Sequence, residues 1–169
     1  DPEELSGALA GREAVRLLTL RGTIHVLTPD DALALRPWVQ PALDRQSNGS
    51  QMSRPARDVP ADGLVAACRR LLAEGPLPVT RLGELLAEAF PGVPADALAH
   101  KARERAPLVQ VPPRGLWRQS GGVVYQTVET YLDRPATSAD VPELVRRYLR
   151  AYGPATAADV TTWSRVTRL

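Results

Sequence analysis

The chain repeats itself. Leu71-Leu72-Ala73-Glu74-Gly75-Pro76, followed by Thr80-Arg81-Leu82-Gly83-Glu84-Leu85-Leu86, returns 78 positions later as Leu149-Arg150-Ala151-Tyr152-Gly153-Pro154, followed by Ala158-Asp159-Val160-Thr161-Thr162-Trp163. Leu71 aligns with Leu149, Gly75-Pro76 with Gly153-Pro154, Leu82 with Val160 and Leu85 with Trp163. Apolar positions and a helix-ending Gly-Pro at one fixed offset mean tandem copies of one supersecondary unit. The second copy has only begun when the sequence stops at Leu169, and the sequence opens on Asp1 without a Met, so a longer parent protein is expected.

Around the first copy the pattern can be followed to its end. Leu64, Val65, Cys68, Leu71 and Leu72 share one face of a helix expected over 62–73. Thr80 is the expected N-cap of a second helix running to Phe90, and Pro94 opens a third over 95–105. A strand is expected from Pro107 to Val111 and a returning strand from Val123 to Thr127, with the long Pro112–Gly122 loop between them. Three helices followed by a hairpin is the winged-helix order, and tandem winged helices read nucleic acid more often than anything else. The fold class expected is therefore α+β, mainly α. Four segments follow: 1–50 as the end of a first winged-helix-like domain, 51–60 as a linker, 61–135 as a complete winged helix, and 136–169 as the start of another.

Upstream, 3–19 reads as a helix on Leu5, Leu9, Val15 and Leu18, with Gly11 a candidate break. Leu20 to Leu27 reads as a strand. Thr28-Pro29-Asp30-Asp31 is a helix start, the helix ending near Arg36 before Pro37, with a further helical piece from Trp38 to Gln46. Residues 47–60 form a polar connection, and 140–152 a helix that opens the next copy.

Charge says little in bulk and more in detail. Net charge is only +2, yet Lys101 is the one lysine among 21 basic residues. Arginine is the better bidentate partner for phosphate and guanine. Five cations (Lys101, Arg103, Arg105, Arg114 and Arg118) face a single acid, Glu104, across 101–118, placing them on the third helix and in the wing. They are candidate DNA contacts, against the plainer reading of a solvated helix face and a basic loop; Arg103 and Arg105 do not share a helix face. Trp117 in the wing can stack on a base, although burial against the core is the more favourable use of its area. Arg21 and His25 are further candidates, Gly22 between them marking a bulge or a close approach of backbone.

Other chemistries find no support. A single cysteine, Cys68, in an amphipathic helix reads as a buried thiol and leaves no disulfide or multi-cysteine zinc site. No catalytic constellation or metal-ligand spacing is present, and the acids at Asp30, Asp31 and Asp140 sit at helix starts, where capping and the helix dipole account for them. No metal, no cofactor and no membrane partner are expected. A monomer in the cytoplasm, associated with the nucleoid, is.

Three segments together resemble one family. They are Leu20-Arg21-Gly22-Thr23-Ile24-His25-Val26-Leu27-Thr28-Pro29-Asp30-Asp31, then Pro112-Pro113-Arg114-Gly115-Leu116-Trp117, then Tyr152-Gly153-Pro154-Ala155-Thr156 with Asp159 and Trp163. In this order they resemble the AlkZ/YcaQ-type DNA glycosylases over nearly the whole chain. The resemblance implies tandem winged helices forming a concave surface for double-stranded DNA. It also implies hydrolysis of the N-glycosidic bond of alkylated or crosslinked purines, with a Gln-x-Gln or Gln-x-Asp motif positioning the water. That motif does not occur in this sequence, so no catalytic residue is assigned and the chain is expected to be inactive alone. The competing expectations are a winged-helix transcription regulator, which binds duplex DNA without releasing base, and a module for protein contacts.

Overall fold

A computed structural model describes residues 1–167. Asp1 caps the first helix, α1 (Pro2–Ala10), through a capping box with Glu4. The helix expected to continue to residue 19 stops there. Gly11 ends it, Arg12 turns through the left-handed region at φ 63°, and Val15–Leu18 forms strand β1 instead. Helical spacing in 3–19 was a local signal. The sheet overrides it by pairing β1 on both edges, with β2 (Ile24–Leu27) in the register Val15 to Leu27 and with β4 (Leu108–Gln110) through Leu17 and Val109. The stretch expected as one strand from Leu20 begins with a 3₁₀ turn over Leu20–Gly22.

Thr28 caps the next helix, accepting from the Asp31 amide, with Pro29 in its first turn. This helix, α2 (Pro29–Asn48), does not stop at Arg36: it runs unbroken through Pro37 and Pro41. A proline lacks the amide that would bond the carbonyl four residues back. For Pro37 that carbonyl belongs to Leu33, and the Thr137 amide fills the vacancy at 3.2 Å. The loop after α6 (Val128–Leu132) thus replaces what the proline removed, which no local reading could anticipate.

Next come α3 (Ala61–Leu72), the two-residue strand β3 (Leu77–Pro78), α4 (Val79–Ala89), α5 (Ala95–Arg105), β4, and β5 (Val124–Thr127). Thr80 is not the cap of α4. The helix starts a residue earlier, at Val79, whose amide bonds the Val123 carbonyl of the returning strand. All five strands form one antiparallel sheet in the order β2-β1-β4-β5-β3, which carries residues from 1–50 and from 61–135 alike.

The sheet separates the core into clusters. Alternation along β4 sends Leu108 into a cluster with Leu64, Cys68, Leu72, Leu82, Leu86 and Leu98, and Val109 into another with Val15, Leu17 and Leu33. Each fully buried leucine contributes roughly 1.5–3 kcal/mol. Cys68 is buried as expected, and burial pushes its thiol pKa up to about 12, so it is inert near neutral pH. A third cluster, Leu18, Leu20, Val39 and Leu43, receives Trp163 and Val166 from the end of the chain.

The second copy forms helices α7 (Val141–Tyr152) and α8 (Ala157–Ser164), so Ala157 stands 78 positions after Val79 and both open corresponding helices. Asp140 caps α7, and Thr156 caps α8 in a capping box with Asp159. Arg147 reaches back to Asp31 with two parallel bonds of 2.7 Å, and Arg134 pairs with Asp30 at 2.6 Å, so these acids in the first turn of α2 anchor later chain as well as complementing the helix dipole. No helix of the described residues is long and apolar enough to cross a membrane.

Helices α4 and α5 cross at Gly83, where an added Cβ would stand 2.5 Å from the Ala95 carbonyl oxygen. Gly83→Ala forces two backbones apart. Overpacking of this kind costs about 1–3 kcal/mol, of which alanine's helix propensity returns about 1. The urea midpoint should fall; an unchanged midpoint would show that the crossing is looser than described.

Candidate nucleic-acid interface

The basic residues of α5 lie mostly inside. Lys101 is 4% exposed, and its ammonium donates to three backbone carbonyls, Ala56 at 2.7 Å, Arg57 at 3.1 Å and Val59 at 2.7 Å. Three protons meet three acceptors, so none is left for a phosphate. Burial and neighbouring Arg105 push its pKa below the ordinary lysine value. Lys101 therefore staples the 54–59 segment to α5, and its expected role as a DNA contact is corrected. Arg105 is likewise engaged, pairing with Asp44 of α2 at 2.5 Å and donating to Asn48 at 3.1 Å. Arg103 is half-buried, 3.3 Å from the His100 ring, and its Nε is buried without a partner.

His100 sits between two groups of opposite effect. Its Nε2 lies 3.3 Å from the Glu104 carboxylate, which also accepts from Ser47 at 2.5 Å. Burial, and then Arg103, hold the imidazole pKa below the ordinary histidine value against the pull of Glu104. The ring is thus largely buried between α5 neighbours.

The Pro112–Gly122 loop, expected as a wing, is the opposite case. Between β4 and β5 the chain swings out and is braced from behind: the Trp117 amide donates to Ser6 Oγ of α1 at 2.7 Å, and Arg16 of β1 lies across Gly115. Gly115 has φ 97°, and a side chain there would strike the Arg16 guanidinium. On this brace Arg114 and Arg118 are exposed, and Arg114 also donates to the Gly121 carbonyl at 3.3 Å. Trp117 is 49% exposed, with the Arg118 guanidinium 5.8 Å from its ring. The ring does not fold back onto the core, so the burial favoured on sequence grounds is not what its loop provides.

Arg21 occupies the 3₁₀ turn before β2 with φ 58° and donates to the Trp163 carbonyl at 3.3 Å. His25 uses Nδ1 locally, 3.0 Å from Thr19 Oγ1 and 3.1 Å from the Thr23 carbonyl, which ties it to the turn and directs Nε2 away from that bond. Two arginines that the sequence reading missed, Arg45 and Arg165, stand with Arg21 around a cleft of about 590 Å³. They are 120 positions apart in sequence, and only the docking of α8 on α2 brings them together. Among the described residues no group of three histidine, cysteine or carboxylate side chains is placed to hold a metal ion.

An exposed arginine-and-tryptophan wing beside an antiparallel five-stranded sheet and its helices defines a small α+β module that presents cations on loops. The chain belongs to the AlkZ-like family: the family model described as DNA glycosylase AlkZ-like matches residues 1–169. Among solved structures it is similar in fold to the Streptomyces sahachiroi DNA glycosylase AlkZ, with a TM-score of 0.63 and 21% sequence identity. That match covers 92% of this chain and 44% of the Streptomyces chain. None of the curated proteins matches.

Replacing Lys101 by Met should leave the three carbonyls unpaired. Stability should drop by about 1–3 kcal/mol, the cost of leaving a buried polar group unsatisfied, while the salt dependence of any duplex binding stays the same. A change in that salt dependence would return Lys101 to the interface. For His100 the native pKa lies below the unfolded one, so as pH falls the unfolded chain takes up a proton that the native state resists. Stability should therefore be full above about pH 6.5 and decline below it. His100→Gln should flatten that decline in urea titrations at several pH values; a decline unaltered in the variant would assign it elsewhere.

Proposed function

We propose that this chain is a DNA-holding platform of an AlkZ-like glycosylase, with the wing as its principal contact to double-stranded DNA. The observation that carries the reading is the wing itself, where Arg114, Trp117 and Arg118 are exposed on a loop braced by Ser6 and Arg16. A large aromatic left half-exposed on a stiffened loop between two arginines suits a nucleic acid. The guanidinia neutralise phosphates, and the indole meets bases or sugar. Arg21 and His25 complete the proposed contacts from the sequence reading.

The chemistry of the family gives the platform a task. Purines alkylated at N7 or N3 are cationic and already good leaving groups, so excision mainly requires a positioned water and a stabilised oxocarbenium-like sugar. Crosslinked bases are hard to flip into a tight pocket, and an open surface that grips the backbone accommodates them better. This chain contains no Gln-x-Gln or Gln-x-Asp sequence. The reading therefore assigns it the grip on DNA and not the positioned water.

Two measurements test this. A labelled short duplex should bind the chain, and Arg114→Ala with Arg118→Ala should weaken binding and flatten the slope of log affinity against log salt by about one unit for each phosphate no longer neutralised. Equal binding by wild type and variant would exclude the wing. On duplex carrying N7-methylguanine, the chain should bind without releasing base above the spontaneous rate. Release by this chain would place excision within it and overturn the division of labour.

A further inference from the structure

We infer that the cleft formed by Arg21, Arg45 and Arg165 holds one backbone phosphate of duplex DNA, so that the phosphate track runs past the end of α2 and the start-of-repeat helices instead of along α5. The inference rests on the DNA-platform reading for the identity of the polymer, and on the following geometry for the site. The cleft takes Arg21 from the 3₁₀ turn, Arg45 from the last turns of α2 and Arg165 from the end of α8, with Gln46, Thr161 and Thr162 beside them and no carboxylate among the described residues of its lining. Elsewhere on this chain arginines are commonly paired with acids, as Arg81, Arg105, Arg134, Arg146, Arg147 and Arg150 are. Arg21, Arg45 and Arg165 make no ion pair among the described residues.

Two of these side chains are nevertheless held in place. Arg21 donates one N–H to the Trp163 carbonyl at 3.3 Å, and Arg45 donates one to the Arg165 carbonyl at 2.7 Å. A guanidinium has five N–H groups, so each retains donors facing the cleft. Two of the three lie on backbone in the left-handed region, Arg21 at φ 58° and Arg165 at φ 61°. That conformation is unfavourable for a residue with a Cβ, and surrounding packing must enforce it. Trp163 and Val166, inserted into the cluster of Leu18, Leu20, Val39 and Leu43, do so. Arg45 also offsets the negative end of α2, but Arg21 and Arg165 arrive from other elements and converge on the same space. Convergent guanidinia with hydroxyls alongside are the chemistry that recognises a phosphate oxygen. A cleft of about 590 Å³ exceeds a single phosphate group and leaves room for the sugars on either side.

The test is duplex binding by the 169-residue chain across a salt series, with two variants that act in opposite directions. Arg45→Ala combined with Arg165→Ala should flatten the salt slope by about one unit, and Thr162→Lys, an added cation on the exposed side of α8, should steepen it by about one. The cleft effects should add to those of the wing variants. If wing variants weaken binding while neither cleft variant changes the slope, the cleft inference fails and the platform reading stands. If the wild-type chain does not bind duplex, both fail. Titration with inorganic phosphate alone separates the remaining source: saturable binding lost in Arg45→Ala/Arg165→Ala, without any duplex effect, would reassign the cleft to a small anion. Should the double variant fail to fold, Thr162→Lys decides alone, a steeper slope supporting the site and an unchanged one overturning it.

Discussion

One buried guanidinium fastens the two halves of this chain together. Arg36 of α2 is 1% exposed and donates to the Glu104 and Ala106 carbonyls at 3.1 and 3.0 Å, and also to Gln40. Those carbonyls lie at the end of α5, where a helix has no partners of its own to offer and a cation is favoured. Burial lowers the Arg36 pKa to about 10, with Asp44 and Glu129 opposing, so it stays charged at neutral pH. An uncompensated buried charge costs several kcal/mol, and here the carbonyls supply the compensation. Lys101 and Arg105 extend the same arrangement, one stapling 54–59 and the other reaching Asp44. The consequence for function is direct. Because α5 is locked between α2 and the 54–59 segment by its own cations, its positive charge holds the fold, and the cations left exposed on the wing and around the cleft lie on loops and helix ends.

This division explains what could be read from the sequence. Signals that depend on a few neighbouring residues were legible: Thr28 as a cap, Asp140 at a helix start, Cys68 on a buried face, the α5 span, the two strands flanking the wing, and the repeat offset. Features settled by distant chain were not. Val15–Leu18 has helical spacing and becomes a strand because two other strands pair with it. Pro37 looks like a terminator and is tolerated because Thr137, far along the chain, bonds the carbonyl it orphans. The two-residue β3 is too short to leave a pattern.

At the candidate interface the same rule separates the arginines. Composition marks 101–118 as basic but cannot say which cations face inward. The answer depends on carbonyls at 56–59 and on Asp44, all far away in sequence. Arg45 and Arg165 carried no sequence signal, since nothing before the docking of α8 on α2 relates them. The exposure of Arg114 and Arg118 was legible because they lie on a loop between two strands, whereas the exposure of Trp117 and the bracing by Ser6 and Arg16 were not.

Whether exposed arginines meet a partner while buried cations hold the fold is tested most directly by side-chain NMR of the arginine and lysine nitrogens during titration with duplex DNA. Signals of Arg21, Arg45, Arg114, Arg118 and Arg165 should shift while those of Arg36, Lys101 and Arg105 stay where they are. Shifts confined to Lys101 and Arg105, with the wing and cleft arginines unmoved, would contradict this and restore α5 as the element that meets DNA.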